Sequence, residues 1–93
     1  MRVLLVDDDA AGRRAIGRMV QESRVELIAC ATNDASSVAS LRSFDVIAAN
    51  ARPQTAASCI SLGRELRHRG DLTPFVAYGL RSTKSAQRHS MQA

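Results

Sequence analysis

Three consecutive carboxylates, Asp7, Asp8 and Asp9, close the run "VLLVDDD" at residues 3–9 of a chain whose formal net charge is +4. Adjacent carboxylates repel, and they are best tolerated together where a hard cation such as Mg²⁺ accepts their oxygens while keeping several of its waters. Asp7 and Asp8 are therefore candidate Mg²⁺ ligands; the other reading makes them solvated loop acids. Asp9, placed just before an amphipathic stretch, suits a helix N-cap. Cys30 and Cys59 are far apart, lie in apolar segments and lack metal-ligand spacing, so they read as reduced thiols. His68 falls at a helix end and His89 in a polar tail, and no Ser-His-acid arrangement accompanies either, so the residues give no sign of an enzyme.

The elements that must position the acids follow from the apolar pattern. Val3–Val6 is a compact aliphatic run suited to a central parallel strand buried on both faces. Ala15, Ile16, Met19 and Val20 recur at helical spacing with Arg13, Arg14 and Arg18 on other faces, which predicts a helix from about Ala10 to Glu22. Val25–Cys30 reads as a second strand. Asp34 can cap a helix carrying Ala35, Val38, Ala39 and Leu41, and "FDVIAA" is a third strand ending near Ala49. After the loop "ARPQT", a helix with Cys59, Ile60, Gly63 and Leu66 on one face stops at Gly70, and Pro74 introduces "FVAY", a fourth strand ending at Gly79. Alternation of strand and helix throughout implies right-handed crossovers and a mostly parallel sheet in a layered α/β fold. In such a sheet the residues just past the carboxyl ends of the strands line the ligand crevice, which is where Asp7 and Asp8 fall.

Composition bounds the rest. The 93 residues make one small domain, with 45% hydrophobic residues, no Trp and only Phe44, Phe75 and Tyr78 as aromatics, so aliphatic packing must carry the core. Residues 1–80 form the expected domain. Residues 81–93 are either a basic polar tail or a marginal helix capped by Ser82, since no acid lies beyond Asp71 whereas Arg81, Lys84 and Arg88 follow it. No run approaches the roughly 20 apolar residues of a membrane span, and no signal-peptide pattern opens the chain, so the expected compartment is the cytoplasm. All but one of the 13 basic residues are Arg, a side chain whose planar fork suits phosphate. Without interleaved aromatics or a dense basic stripe, nucleic-acid binding is not expected.

The stretch "RVLLVDDDAAGRRAI" resembles the opening of a response-regulator receiver domain, and "FDVIAANARP" and "DLTPFVAYG" resemble the third and fourth strands of that CheY-like family. The resemblance covers most of residues 1–79. It implies an α/β fold with a three-layer, doubly wound parallel sheet of the flavodoxin type, here with four strands of its own, in which an acidic pair after the first strand binds Mg²⁺ and an Asp ending the third strand accepts a phosphoryl group from a histidine kinase. It further implies a Thr or Ser ending the fourth strand and a Lys after the fifth. Asp7 and Asp8 match the acidic pair. The phosphoacceptor position falls on Asn50, although Pro53 stands one residue closer than usual and leaves Ala49 as the other register; neither offers a carboxylate nucleophile. Asp45 belongs to the opposite end of the strand. Gly79 stands at the Thr or Ser position without a hydroxyl, and Lys84 follows with no fifth strand between, so it does not match the family's Lys.

An Asn beside the acidic pair still offers a carbonyl oxygen, so the resemblance implies at most weak Mg²⁺ binding. The expected function is that of a degenerate, truncated receiver, a phosphorylation-independent pseudo-receiver serving as a protein-interaction module in bacterial two-component-type signalling. Its partner is another signalling protein or itself. A sheet lacking its fifth strand leaves an edge to cover, and a homodimer through Phe75 and Tyr78 would cover it. Two other readings are open: an anionic nucleotide messenger held by Arg52, Arg81 or Arg88, and a nonfunctional remnant of a longer regulator.

Overall fold

The computed structural model describes residues 1–79. The elements are β1 (Arg2–Val6), α1 (Ala10–Met19), β2 (Glu26–Cys30), α2 (Thr32–Leu41), β3 (Val46–Asn50), α3 (Ala56–His68) and β4 (Phe75–Tyr78). All strand pairs are parallel, and the sheet order is β2-β1-β3-β4. The chain therefore steps from β1 to β2 in one direction and from β2 through β3 to β4 in the other. With crossovers of one hand, this reversal puts α1 on one face of the sheet and α2 and α3 on the other. The expected doubly wound α/β sheet with four strands is what forms. Ser82, Lys84, Arg81, Arg88 and His89, with the tail they belong to, lie outside the described residues.

Register explains the core. Ile28, Leu4, Ile47 and Phe75 are in line across the four strands, as are Cys30, Val6, Ala49 and Ala77 one row on. The first row and most of the second pack with Ala35 and Ala39 of α2 and with Cys59, Leu62 and Leu66 of α3. On the opposite face Leu5 is buried, but no residue of α1 is, and Val76 is 51% exposed. The two faces are thus unequal: aliphatic burial concentrates beneath α2 and α3.

Three local expectations are corrected. The first helix ends at Met19, short of Glu22: the Gln21 N–H turns to the Arg18 carbonyl three residues back, and the Ser23 N–H and hydroxyl both bond to the Val20 carbonyl, closing the turn. Only Ile16 and Val20 of its expected apolar face are half-buried, and Met19 is exposed. Asp34 lies in the first turn of α2, whose N-cap is Ala31. On α3 the buried positions are 59, 62 and 66, a 3–4 spacing that includes Leu62 and leaves Ile60 about 100° away and 46% exposed. The stop at Gly70 holds: its φ of +84° lets the chain turn after Arg69.

This distribution predicts how α3 is anchored. Leu66→Ala should cost about 2–5 kcal/mol in urea unfolding, as for other fully buried leucines, whereas Ile60→Ala should stay within roughly 1 kcal/mol. Equal costs would mean that α3 presents its other face to the sheet.

Candidate functional site

The carboxyl ends of β1, β3 and β4 meet at an open cleft of about 150 Å³ lined by Asp7, Asp8, Asp9, Asn50, Arg52, Gln54 and Thr55. The three acids that open the sequence share this place and do three different things. Asp7, one step past the buried end of β1, is 3% exposed. Its Oδ1 accepts the Asp9 N–H at 2.9 Å, and its Oδ2 accepts the Asn50 amide and the Tyr78 hydroxyl, each at 3.1 Å. Asp8 points the other way: its two carboxylate oxygens accept the Thr32 N–H at 2.7 Å and the Thr32 hydroxyl at 3.1 Å. Because the Ala31 methyl cannot cap α2, Asp8 supplies that cap from the loop between β1 and α1. Asp9 caps α1 as expected, accepting the Ala11 N–H at 3.1 Å, and meets Arg52 at 3.2 Å. The Arg52 hydrogen bond, reinforced by the Ala11 N–H, holds the Asp9 carboxyl below the usual carboxylate range.

The strand register brings the second set of residues together. Asn50 pairs with Tyr78, and Val6 pairs with Ala49, so Asp7, Asn50 and Tyr78 form one row across three strand ends. Of the two registers open in the sequence, Asn50 turns into the cleft and Ala49 into the core. Asp45 lies at the far end of the sheet, where it accepts the Arg2 N–H at 2.6 Å. The Asn50 carbonyl is held by the Thr55 hydroxyl at 3.0 Å and the Cys59 thiol at 3.2 Å, which ties the β3 end to the start of α3. Burial pushes the thiols of Cys59 and Cys30 up, in keeping with unreactive core cysteines.

Two glycines fit this row. A Cβ on Gly12 would come within 2.8 Å of Asp7 Oδ2, so α1 can approach the buried acid only without a side chain there. Gly79 has φ +78°, and a Cβ on it would stand 2.8 Å from Asn50 Oδ1. That oxygen is buried and has no hydrogen-bond partner among the described residues. An orphan of this kind costs roughly 1–3 kcal/mol.

Tyr78 was expected on an interaction surface with Phe75. Both residues are half-buried: the Tyr78 hydroxyl turns inward to Asp7 and Phe75 packs against the core, while the exposed side chains of β4 are those of Val76 and Ala77. Arg52, a candidate for an anionic messenger, is turned to Asp9. The sequence reading missed Thr32, Thr55 and the role of Tyr78. The signal for Tyr78 was present, since parallel pairing in a β1-β3-β4 arrangement aligns it with Asn50; nothing local marked the two threonines.

No protein-family model and no curated protein matches the sequence. Solved structures do match the fold. Vibrio cholerae chemotaxis protein CheY4 superposes with a TM-score of 0.74 at 18% identity, covering 98% of this chain and 78% of that one. The receiver domain of Francisella response regulator 1452 superposes with a TM-score of 0.79, also at 18% identity, covering 98% of this chain and 75% of that one. The chain has the CheY-like receiver fold.

In the receiver fold the acidic pair raises the question of Mg²⁺. Among the described residues no group of three or more His, Cys, Asp and Glu side chains is placed to hold a metal ion. Asp8 is committed to α2, both oxygens of Asp7 already accept donors, and Asn50 Oδ1 faces Gly79. The residues as arranged do not fit the cation that the acidic pair suggested.

Tyr78 gives a direct test of the row, because it is the sole tyrosine and its phenolate absorbance is unambiguous. Burial, followed by the Asp7 charge, raises its pKa well above the ordinary tyrosine range. A folded pKa raised in this way contributes stability that is fully present below the unfolded value of about 10 and is lost as pH climbs toward the folded value. Phenolate absorbance of the native protein should therefore stay absent where free tyrosine ionises and rise only with alkaline unfolding, and Asp7→Asn should lower its onset. Ordinary titration of the native protein near pH 10 would place the hydroxyl away from Asp7.

Proposed function

We propose that the chain is a pseudo-receiver, a phosphorylation-independent module that binds protein in bacterial two-component-type signalling. The observation that carries this reading is Asn50. It stands at the end of β3, is 9% exposed and donates its amide to Asp7. The receiver pattern places its phosphoryl-accepting carboxylate there, and a neutral amide has neither the charge nor the nucleophilicity for that chemistry. Gly79, packed against Asn50 at the end of β4, has no hydroxyl to hold a phosphoryl oxygen. Fold and site together favour binding over catalysis.

The partner reading rests on β4. It is one of the two outer strands of the sheet among the described residues, and it exposes Val76 and Ala77. A strand edge of this sort is a template for pairing, so we assign the contact to the β4 region, with a second copy of the chain or a signalling protein as its occupant. Among the described residues no helix is long and apolar enough to cross a membrane. The cytoplasm remains part of this proposal.

Two measurements test the reading. Incubation with a small-molecule phosphodonor and Mg²⁺ should leave the intact mass unchanged; a stoichiometric, base-labile phosphoryl adduct would overturn phosphorylation independence. If two copies pair, the melting temperature should rise with protein concentration and light scattering should show a dimer-sized species. A melting temperature fixed across a wide dilution series, with a monomeric scattering mass, would exclude self-pairing and leave a different protein as the occupant.

A further inference from the structure

Beyond the role proposed above and independent of it, the geometry points to a cation-independent lock at the cleft. The Asn50 amide and the Tyr78 hydroxyl serve as neutral donors where a divalent cation would otherwise sit against Asp7, and Gly79 is the residue fitted to that amide.

The orientation of Asn50 decides between the two uses of the site. An Asn side chain can present either its NH₂ or its carbonyl oxygen. Presenting the oxygen would set two acceptors about 3 Å apart, a placement that is tolerable only with a cation between them. Presenting the NH₂ satisfies Asp7 Oδ2 at 3.1 Å without any ion, and Asn50 takes this orientation although it leaves Oδ1 buried and unpartnered among the described residues. The second donor, Tyr78, reaches the same carboxylate oxygen from β4. The lock therefore spans the ends of β1, β3 and β4.

Two other features agree with this use. Asp8, the second acid of the pair, has both oxygens on Thr32, so Asp7 is left as a single carboxylate that three neutral donors suffice to satisfy. At Gly79 any side chain would meet the Asn50 oxygen at 2.8 Å from a backbone already at positive φ. The hydroxyl-bearing residue of the receiver pattern is excluded there by the same amide that serves Asp7.

The test is thermal unfolding of the intact chain in millimolar MgCl₂ and in EDTA at matched ionic strength. For the parent protein the two curves should coincide. Asn50→Asp keeps the shape but exchanges the donor for a carboxylate against Asp7, so in EDTA it should melt at least about 5 °C lower than the parent, and Mg²⁺ should recover part of the loss. If this variant does not fold in EDTA, Tyr78→Phe takes its place: it should melt below the parent and remain indifferent to Mg²⁺. A parent protein stabilised by Mg²⁺, with the gain abolished in Asp7→Asn, would overturn the lock. So would an Asn50→Asp or Tyr78→Phe variant as stable as the parent in EDTA. These results are read separately from the phosphodonor experiment, which reports on the nucleophile at position 50 and not on what holds Asp7.

Discussion

A carboxylate buried at the end of a central strand must be surrounded by hydrogen-bond donors, and most of the cleft is organised by meeting that requirement at Asp7. Its position is dictated by β1, whose aliphatic run is buried up to Val6 and leaves the next residue at the rim of the core. The donors come from three directions: the backbone of the following loop, the end of β3 and the end of β4. Gly12 completes the arrangement by letting α1 come close without crowding the carboxylate. Packing and polar satisfaction are here one problem, since the strands that build the aliphatic core also carry the donors.

The charge of the chain is managed locally. Three acids in sequence would repel if they converged, but the backbone turn after β1 sends Asp7 inward, Asp8 toward α2 and Asp9 along α1. Arg13 donates to the Asp7 carbonyl and Arg52 to the Asp9 carboxylate, so two of the many arginines stand at the acidic loop. The exposed pair between Asp9 and Arg52 contributes little stability in solvent. Its effect is to hold the Arg52 guanidinium against Asp9 at the rim of the cleft.

Much of this was legible in the sequence. Compact apolar runs and helical spacing located the strands and helices of the described residues, and Asp9 and Gly70 marked their helix ends because each has a specific backbone role. Errors arose where a tertiary partner replaced a local signal. Asp34 looked like a cap because α2 needs one, but Asp8 supplies it from a distant loop. Ile60 looked like a core residue because it is apolar, but the direction of α3 buries Leu62 instead. Asp7 and Asp8 looked like a pair because they are adjacent, although adjacent residues leaving a strand point to opposite sides. The use of Tyr78 required a strand order that apolar patterning alone does not give.

The departures from the receiver pattern at Asn50 and Gly79 are physically coupled. With a carboxylate at position 50, Asp7 would lose a donor and gain a like charge, and the cleft would need a cation to hold both. With a side chain at position 79, the Asn50 oxygen would be displaced from where it now sits, and the amide could no longer keep its NH₂ on Asp7 without strain. A change at either position therefore unsettles the other, and Tyr78, which pairs with Asn50 in register, precedes Gly79 in the chain and donates to the same Asp7 oxygen, ties both to β4. A switch requires an element with two arrangements of similar energy. At this cleft the donors to Asp7, the Asn50 oxygen without a partner among the described residues and the left-handed glycine all belong to one arrangement.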